Sequence, residues 1–287
     1  MQKLMLLIPL VISGPTFSEV ASENKDKDSY KFNPVLLDSN DNSGALLGIE
    51  YGYNHKWTYM KSAPKSKGNA SGWINTVEQL SEKNGFIEFK IDGIWTNDHE
   101  INPKSYSKTN IEMGYEILKP DDINTSANDE RDFDFGLHFG IEGDQNYDNN
   151  QTFFAAQAGA MFGDSTKEYI AAIISYGEVD ASSNKERMSL TSVDKFDRFN
   201  AEIQILYPLS FRPGRKYSPK SISLNYRYFH EIDAPQEIED AELDKYKFGV
   251  IRIKFENGLF IGYGKGKLPF DFDSKSVLEI GISQNLF

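Results

Sequence analysis

Cysteine is absent from the 287 residues of this chain. Its absence excludes a disulfide framework, a thiolate metal site, a thiol nucleophile and a lipid-modified N-terminal cysteine. Positive charge is scarce, and the net charge of −12 argues against a nucleic-acid partner, because neutralising phosphates requires a basic face. Long apolar runs are missing after the N-terminus, which excludes helical membrane spans. Apolar residues are nevertheless too plentiful for a disordered chain.

The N-terminus has the pattern of a secretory signal peptide. Lys3 supplies a short positive region, and residues 4–12 form an apolar stretch that is too short to span a bilayer. Small residues then offer cleavage positions after Ser18 and Ser22. We therefore predict a signal peptide over residues 1–22 and an exported protein. The alternative is that residues 4–12 form a buried first strand.

Apolar and polar residues alternate along most of the remaining chain. The clearest segment is 132–142, where Phe133 and Phe135 stand on one face and Asp134 on the other. A period of two is the signature of β-strands with two unlike faces. The same alternation predicts strands near 47–54, 87–95, 111–117, 199–207, 222–228 and 251–255, and weaker ones at 72–80, 152–162, 169–178, 259–267 and 277–286.

These segments predict about twelve strands, with roughly 10–14 possible, and each is about long enough to cross a bilayer when tilted. The predicted fold is all-β: an antiparallel, up-and-down transmembrane β-barrel over residues 44–287. Residues 23–43 are polar and precede the first predicted strand. We expect them to be a mobile segment or a plug in the lumen.

The connections between predicted strands alternate between short and long. Short ones at 81–85, 163–167 and 257–258 are assigned to the inner end of the barrel, and two of them carry Asn-Gly, a hairpin-turn signal. Residues 119–130 and 210–220 are inner connections of unusual length. The longer polar connections assigned to the outer end are 61–69, 97–109, 179–197 and 232–244.

Alternation alone fits a soluble sandwich with an apolar core as well as a membrane barrel with an apolar outside. Export, strand number and strand length favour the barrel, and so do polar faces rich in charge and glycine. The sandwich stays as the alternative. Aromatic residues near strand ends are typical of girdles at membrane interfaces, and here they are Tyr51, Tyr53, Trp95, Tyr207, Tyr226 and Tyr228.

The C-terminus carries a resemblance. Residues 277–287 resemble the last strand of Gram-negative outer-membrane β-barrels, with Glu279 and Gly281 in the polar-x-Gly part and Phe287 as the final residue. The resemblance is to this superfamily of barrels, porin-like or solitary autotransporter-type, and to no single functional family. It implies an outer-membrane location, contact with outer-membrane lipid and lipopolysaccharide, and recognition of those three residues by the barrel-assembly machinery.

Charged residues dominate the predicted inner face. They would create a transverse field across a narrow pore, or pair with one another and fill the barrel. The sequence does not distinguish an open pore from a barrel filled by paired charges. The candidate lumen residues are Glu50, Glu88, Lys90, Asp92, Glu112, Glu116, Asp132, Asp134, His138, Glu142, Glu202, Arg227, Arg252 and Lys254.

Signals for catalysis are weak. A lipid-modifying enzyme of the outer-membrane phospholipase type would need His-x-Ser, but His138 is followed by Phe139 and Gly140. No second histidine stands at metal-ligand spacing, so we predict no catalytic residue, metal or cofactor. The leading hypothesis is a narrow pore for small polar or cationic solutes. A structural or surface-interaction barrel is the alternative, a lipid-modifying enzyme is a distant third, and the oligomeric state is left open.

Overall fold

Twelve antiparallel strands form one closed barrel in the computed structural model of this protein. The structure describes residues 27–39, 45–62, 82–98, 102, 104–118, 131–163, 168–209, 217–270 and 275–283. The strands are β1 (Lys27–Ser39), β2 (Ala45–Ser62), β3 (Glu82–Thr96), β4 (Ser107–Leu118), β5 (Arg131–Gly143), β6 (Asn150–Gly163), β7 (Tyr169–Asp180), β8 (Lys195–Pro208), β9 (Pro219–Glu231), β10 (Lys245–Phe255), β11 (Leu259–Lys267) and β12 (Lys275–Ile282).

Each strand pairs with the strands before and after it in the sequence, and β1 pairs with β12 to close the ring. The closing register runs from Val35 opposite Gly281 to Ser39 opposite Val277. Two short helices lie in connections, α1 (Lys185–Leu190) between β7 and β8 and α2 (Gln236–Asp240) between β9 and β10. The predicted fold and the strand count of twelve are confirmed.

The two faces of the barrel wall differ as the alternation predicts. Phe133, Phe135 and Phe139 on β5 are each close to half exposed on the outside, whereas His138 and Glu142 point inward and are buried. Large apolar side chains are exposed on the outer face of other strands too, for example Leu47, Trp95, Phe154, Ile174 and Tyr263. An apolar outside around a charged inside is the arrangement of a membrane barrel and the reverse of a soluble sandwich.

The prediction that residues 23–43 are a mobile segment or a plug is wrong for most of that range. Residues 27–39 form β1, which lies in the wall between β2 and β12. Phe32 and Leu36 face outward while Val35 and Leu37 are buried inside, so the alternation is present. Polar residues at its start and Pro34, a residue that usually argues against a strand interior, obscured it.

A second correction concerns the region after β2. Residues 84–85 (Asn-Gly), predicted as part of a turn, lie within β3, and β2 extends to Ser62. The end of β2 and the start of β3 therefore lie at the same end of the barrel as the start of β1 and the end of β12. Most of the connection predicted at 61–69 falls outside the described residues. The strand predicted at 72–80 falls outside the described residues.

The other predicted hairpin signal is confirmed. Residues 256–258 connect β10 to β11, and Gly258 has the positive φ of 83° that such turns require. The Asn257 side-chain oxygen accepts a hydrogen bond from the Leu259 backbone N–H at 3.1 Å. The predicted signal peptide, Phe287 and the side chain of Asp132 lie outside the described part of the chain.

Candidate functional site

The lumen contains the charged residues that the sequence assigned to it. These side chains alternate with the outward apolar ones, so the backbone period of two delivers them to one enclosed space. The predicted residues that the structure places on the inner face are Glu50, Glu88, Lys90, Asp92, Glu112, Glu116, Asp134, His138, Glu142, Glu202, Arg227, Arg252 and Lys254.

Arg252 is the centre of the largest ion-pair network. Its Nη2 donates to Glu50 Oε1 at 2.9 Å, and its Nε donates to Glu279 Oε1 at 2.5 Å. Lys104 Nζ donates to the second oxygen, Glu279 Oε2, at 2.5 Å, and Lys31 Nζ lies 2.8 Å from Glu50 Oε1. The network therefore ties β1, β2, β10 and β12 to a residue of the β3–β4 connection.

Sequence analysis missed that this connection enters the barrel. Lys104 and Tyr106 are both almost fully buried, although their segment is polar and was predicted to be an outer connection. Burial lowers the pKa of Lys104, and the carboxylate of Glu279 opposes that shift. Nothing in the local composition distinguishes a loop that folds inward from one that projects outward, because both carry charges and polar residues.

Tyr106 anchors the same connection on the opposite side of the lumen. Its hydroxyl donates to Glu142 Oε2 at 2.7 Å, and burial together with that carboxylate raises its pKa well above the ordinary range. Glu142 also pairs with Arg198 and accepts from Gln151 Nε2 at 2.7 Å. An apolar cluster closes around the ring, formed by Tyr106, Phe229, Phe248, Val250, Leu268 and Phe270.

Most other lumen carboxylates have a basic partner. Lys90 Nζ bridges Glu88 Oε2 at 2.6 Å and Glu112 Oε2 at 3.3 Å. Two further ion pairs join Lys56 with Glu116, and Arg227 with Glu202 at 3.3 Å. Within the described residues, Asp92 and Asp134 are the predicted lumen carboxylates without an ion pair.

His138 lies inside the lumen but is not part of a hydrogen-bond network. Only 3% of its surface is exposed, and neither ring nitrogen has a partner among the described residues. Its ring packs edge-on against Phe153 with centroids 5.1 Å apart. The structure places His138 on the lumen face, as the alternation predicts.

Three polar cavities occupy the lumen. The Arg252 cavity, about 370 Å³, reaches up to Lys104 and Tyr106. The Lys31 cavity, about 450 Å³, extends to Ser29 and Ser283 at the other end of the barrel. The His138 cavity, about 250 Å³, lies against β3 to β9. Asp92 lines all three, so it stands where the cavities adjoin.

The connections that bear the helices form an ordered cap. Arg187 of α1 donates to both carboxylate oxygens of Glu231, at 2.5 and 2.8 Å, and both residues are buried. Asn184 caps α1 by accepting from the Arg187 backbone N–H. Ile238 of α2 is fully buried beside this pair of connections. Sequence analysis assigned no role to any of these residues.

Two residues predicted as an assembly signal have contacts inside the barrel. Glu279 is fully buried in the Arg252 network. Gly281 lies under the ring of Phe260, so a Cβ there would approach Phe260 Cζ to 2.5 Å. Lumen packing therefore accounts for both residues independently of assembly.

None of the helices in the described part of the chain is long and apolar enough to cross a membrane. That part of the chain contains no group of three or more His, Cys, Asp or Glu residues placed to hold a metal ion.

No protein-family model matches the chain, and no curated protein does. Solved structures with a similar trace include a loop-deletion mutant of OmpT, an outer membrane protein of Vibrio cholerae, at 9% identity and TM-score 0.38, covering 91% of this chain and 99% of that one. An outer membrane channel from Pseudomonas putida is 9% identical with a TM-score of 0.37, and the match covers 93% of this chain and 100% of that one. The NalP autotransporter translocator domain from Neisseria meningitidis is 9% identical with a TM-score of 0.28, and the match covers 91% of this chain and 89% of that one.

Identities and TM-scores this low say nothing about what the chain does. Its architecture follows from its own geometry: a closed antiparallel sheet, an apolar outer face and a charged interior. Barrels of this kind cross outer membranes. The chain has the architecture of an outer-membrane β-barrel.

Proposed function

We propose that this protein is a narrow, non-catalytic pore for passive diffusion of small polar or cationic solutes. The observation that carries the proposal is the set of three adjoining polar cavities that share Asp92 and extend along the lumen. Polar groups that line a water-filled passage replace part of the hydration of a passing solute.

The balance of charges in the lumen supports a weak preference for cations. Ion pairs neutralise most lumen carboxylates, but Asp92 and Asp134 form no ion pair among the described residues. Lys108, which lines the His138 cavity and likewise makes no ion pair there, offsets part of their field. The remaining preference follows from the two carboxylates and the overall charge of −12.

The segment around Lys104 and Tyr106 supports a narrow passage. Both residues extend from a connection into the lumen, and the apolar cluster around Tyr106 reduces the free cross-section at that end. A solute would have to pass this constriction between the ion pairs on either side. We therefore expect small conductance steps and exclusion of large solutes.

A structural or surface-interaction barrel is the second candidate. The observation that favours it is the ordered cap with the buried Arg187–Glu231 pair, beside which Met188, Leu190 and Val193 are more than one-third exposed. A cap built for a partner needs no conduction through the lumen. Conductance therefore separates the two candidates.

The test is current through the purified barrel in a planar bilayer under a KCl gradient. Stepwise conductance with a cation-favouring reversal potential is expected. Asp92→Asn and Asp134→Asn should each move that potential toward zero, whereas Asp148→Asn, in the exposed turn after β5, should leave it unchanged. A barrel that is folded by gel mobility but silent at both polarities would overturn the pore.

A further inference from the structure

Several buried polar atoms in the His138 cavity have no partner within the described part of the chain. They are both ring nitrogens of His138, Arg198 Nε and Asn200 Oδ1. Buried polar groups are normally hydrogen-bonded, because a group without a partner loses its hydrogen bonds to water and gains none in the protein. Their presence in one cavity indicates a binding site for a polar molecule.

Unpaired charges of both signs line the same cavity. Lys108 makes no hydrogen bond or ion pair with another described residue, and its ammonium lies 4.8 Å from the centre of the Phe153 ring. Asp92 likewise makes neither, although it lies directly opposite Lys108 in the register of β3 and β4. A simple anion would satisfy Lys108 and leave Asp92 unmatched, while a simple cation would do the opposite. One small molecule carrying both charges satisfies both residues.

We propose that the His138 cavity binds a small zwitterionic solute, with its anionic group at Lys108, His138 and Arg227 and its cationic group at Asp92. This inference rests on the proposed pore function, since the solute must reach the lumen. Arg227 contributes a positive charge to the wall of the cavity, where its Nε already lies 3.3 Å from Glu202 Oε1. The volume of about 250 Å³ limits the guest to a small molecule.

The probe is taurine, a zwitterion that stays charged at both ends at neutral pH. Equilibrium dialysis of radiolabelled taurine against the detergent-purified barrel measures binding without requiring conduction. Ethanesulfonate, which lacks the ammonium group, and methylguanidinium, which lacks the anion, serve as competitors. Taurine should bind about tenfold more tightly than either competitor, because each competitor loses one charge-assisted contact.

Two variants should each change which of the three compounds binds most tightly, and each should favour a different competitor. Asp92→Asn should favour ethanesulfonate, and Lys108→Met should favour methylguanidinium. The matched controls are Asp134→Asn and Lys254→Met, which alter lumen charges that do not line the His138 cavity, and they should keep taurine first. Gel mobility of the unboiled sample checks that each variant folds.

The outcomes separate this inference from the pore itself. A conducting barrel that binds the three probes equally, or not at all, would overturn the zwitterion site and leave the pore standing. A silent barrel that still binds taurine through Asp92 and Lys108 would overturn the pore and keep the site. Loss of preference in the control variants would show that only the overall lumen charge matters, which also overturns the site.

Discussion

Lys104 Nζ lies 2.5 Å from Glu279 Oε2, and both side chains are almost completely buried inside the barrel. The pair joins a connection at one end of the barrel to the last strand, across 175 positions of sequence. Burying two charges is costly unless they pair well, and removing one partner leaves the other uncompensated. Here Arg252 also donates to Glu279, so the two members of the pair are not equivalent.

Lys104→Met should therefore widen the passage while the barrel stays folded. Glu279 keeps Arg252 as its partner, but the segment that carries Tyr106 loses its ion pair with the lumen wall. We expect larger single-channel steps in planar bilayers. Lys195→Met, which removes an exposed lysine at the start of β8, is the control. Unchanged steps in Lys104→Met would show that the segment does not limit conduction.

Glu279→Gln should instead destabilise the barrel. It leaves Lys104 without its ion-pair partner and Arg252 with Glu50 alone, in a buried site. The expected loss in the free energy of unfolding is about 3–5 kcal/mol, the usual cost of breaking a buried pair. Urea titration of the refolded protein measures it, and a midpoint equal to that of the unchanged chain would contradict the prediction.

The cap should depend on Arg187 and Glu231. Arg187→Met leaves the buried carboxylate of Glu231 without its two charged hydrogen bonds, so the connection bearing α1 should become sensitive to protease in the folded barrel. Lys185→Met, at the exposed start of the same helix, should remain resistant. Resistance of both variants would mean that packing around Ile238 alone holds the cap.

Stability should fall at alkaline pH through Tyr106. Its pKa is raised in the folded protein, so the folded phenol keeps its proton after the unfolded one, with a pKa of about 10, has lost it. The stabilising contribution is complete below that pH and declines as pH rises above it. Tyr106→Phe should flatten this decline. Urea midpoints at several alkaline pH values provide the measurement.

Sequence analysis predicted the barrel because a period of two repeats in nearly every strand, and alternation depends only on which side of the wall a residue faces. It could not predict which charges meet, because Arg252 and Glu50 are 202 positions apart. Lys104 and Tyr106 show a second limit, because the composition of a polar connection does not indicate whether it folds into the lumen.

Local signals also failed where a glycine had more than one explanation. Asn84-Gly85 has the composition of a hairpin turn, yet both residues lie within β3. The reason is on the neighbouring strand. The ring of Tyr59 lies so close that a Cβ on Gly85 would approach Tyr59 Cε2 to 2.7 Å. Gly85 therefore accommodates the Tyr59 ring and does not form a turn.

Gly85→Val should therefore be destabilising only while Tyr59 is present. In the unchanged background the valine must displace the ring, which costs on the order of 1 kcal/mol, as for other cross-strand pairs. In a Tyr59→Ala background that clash is gone and valine, which favours strands, should be neutral or stabilising. A double-mutant cycle in urea measures the coupling between the two sites. Equal costs in both backgrounds would indicate that Gly85 is required by the backbone irregularity between Thr58 and residue 60, and not by the ring.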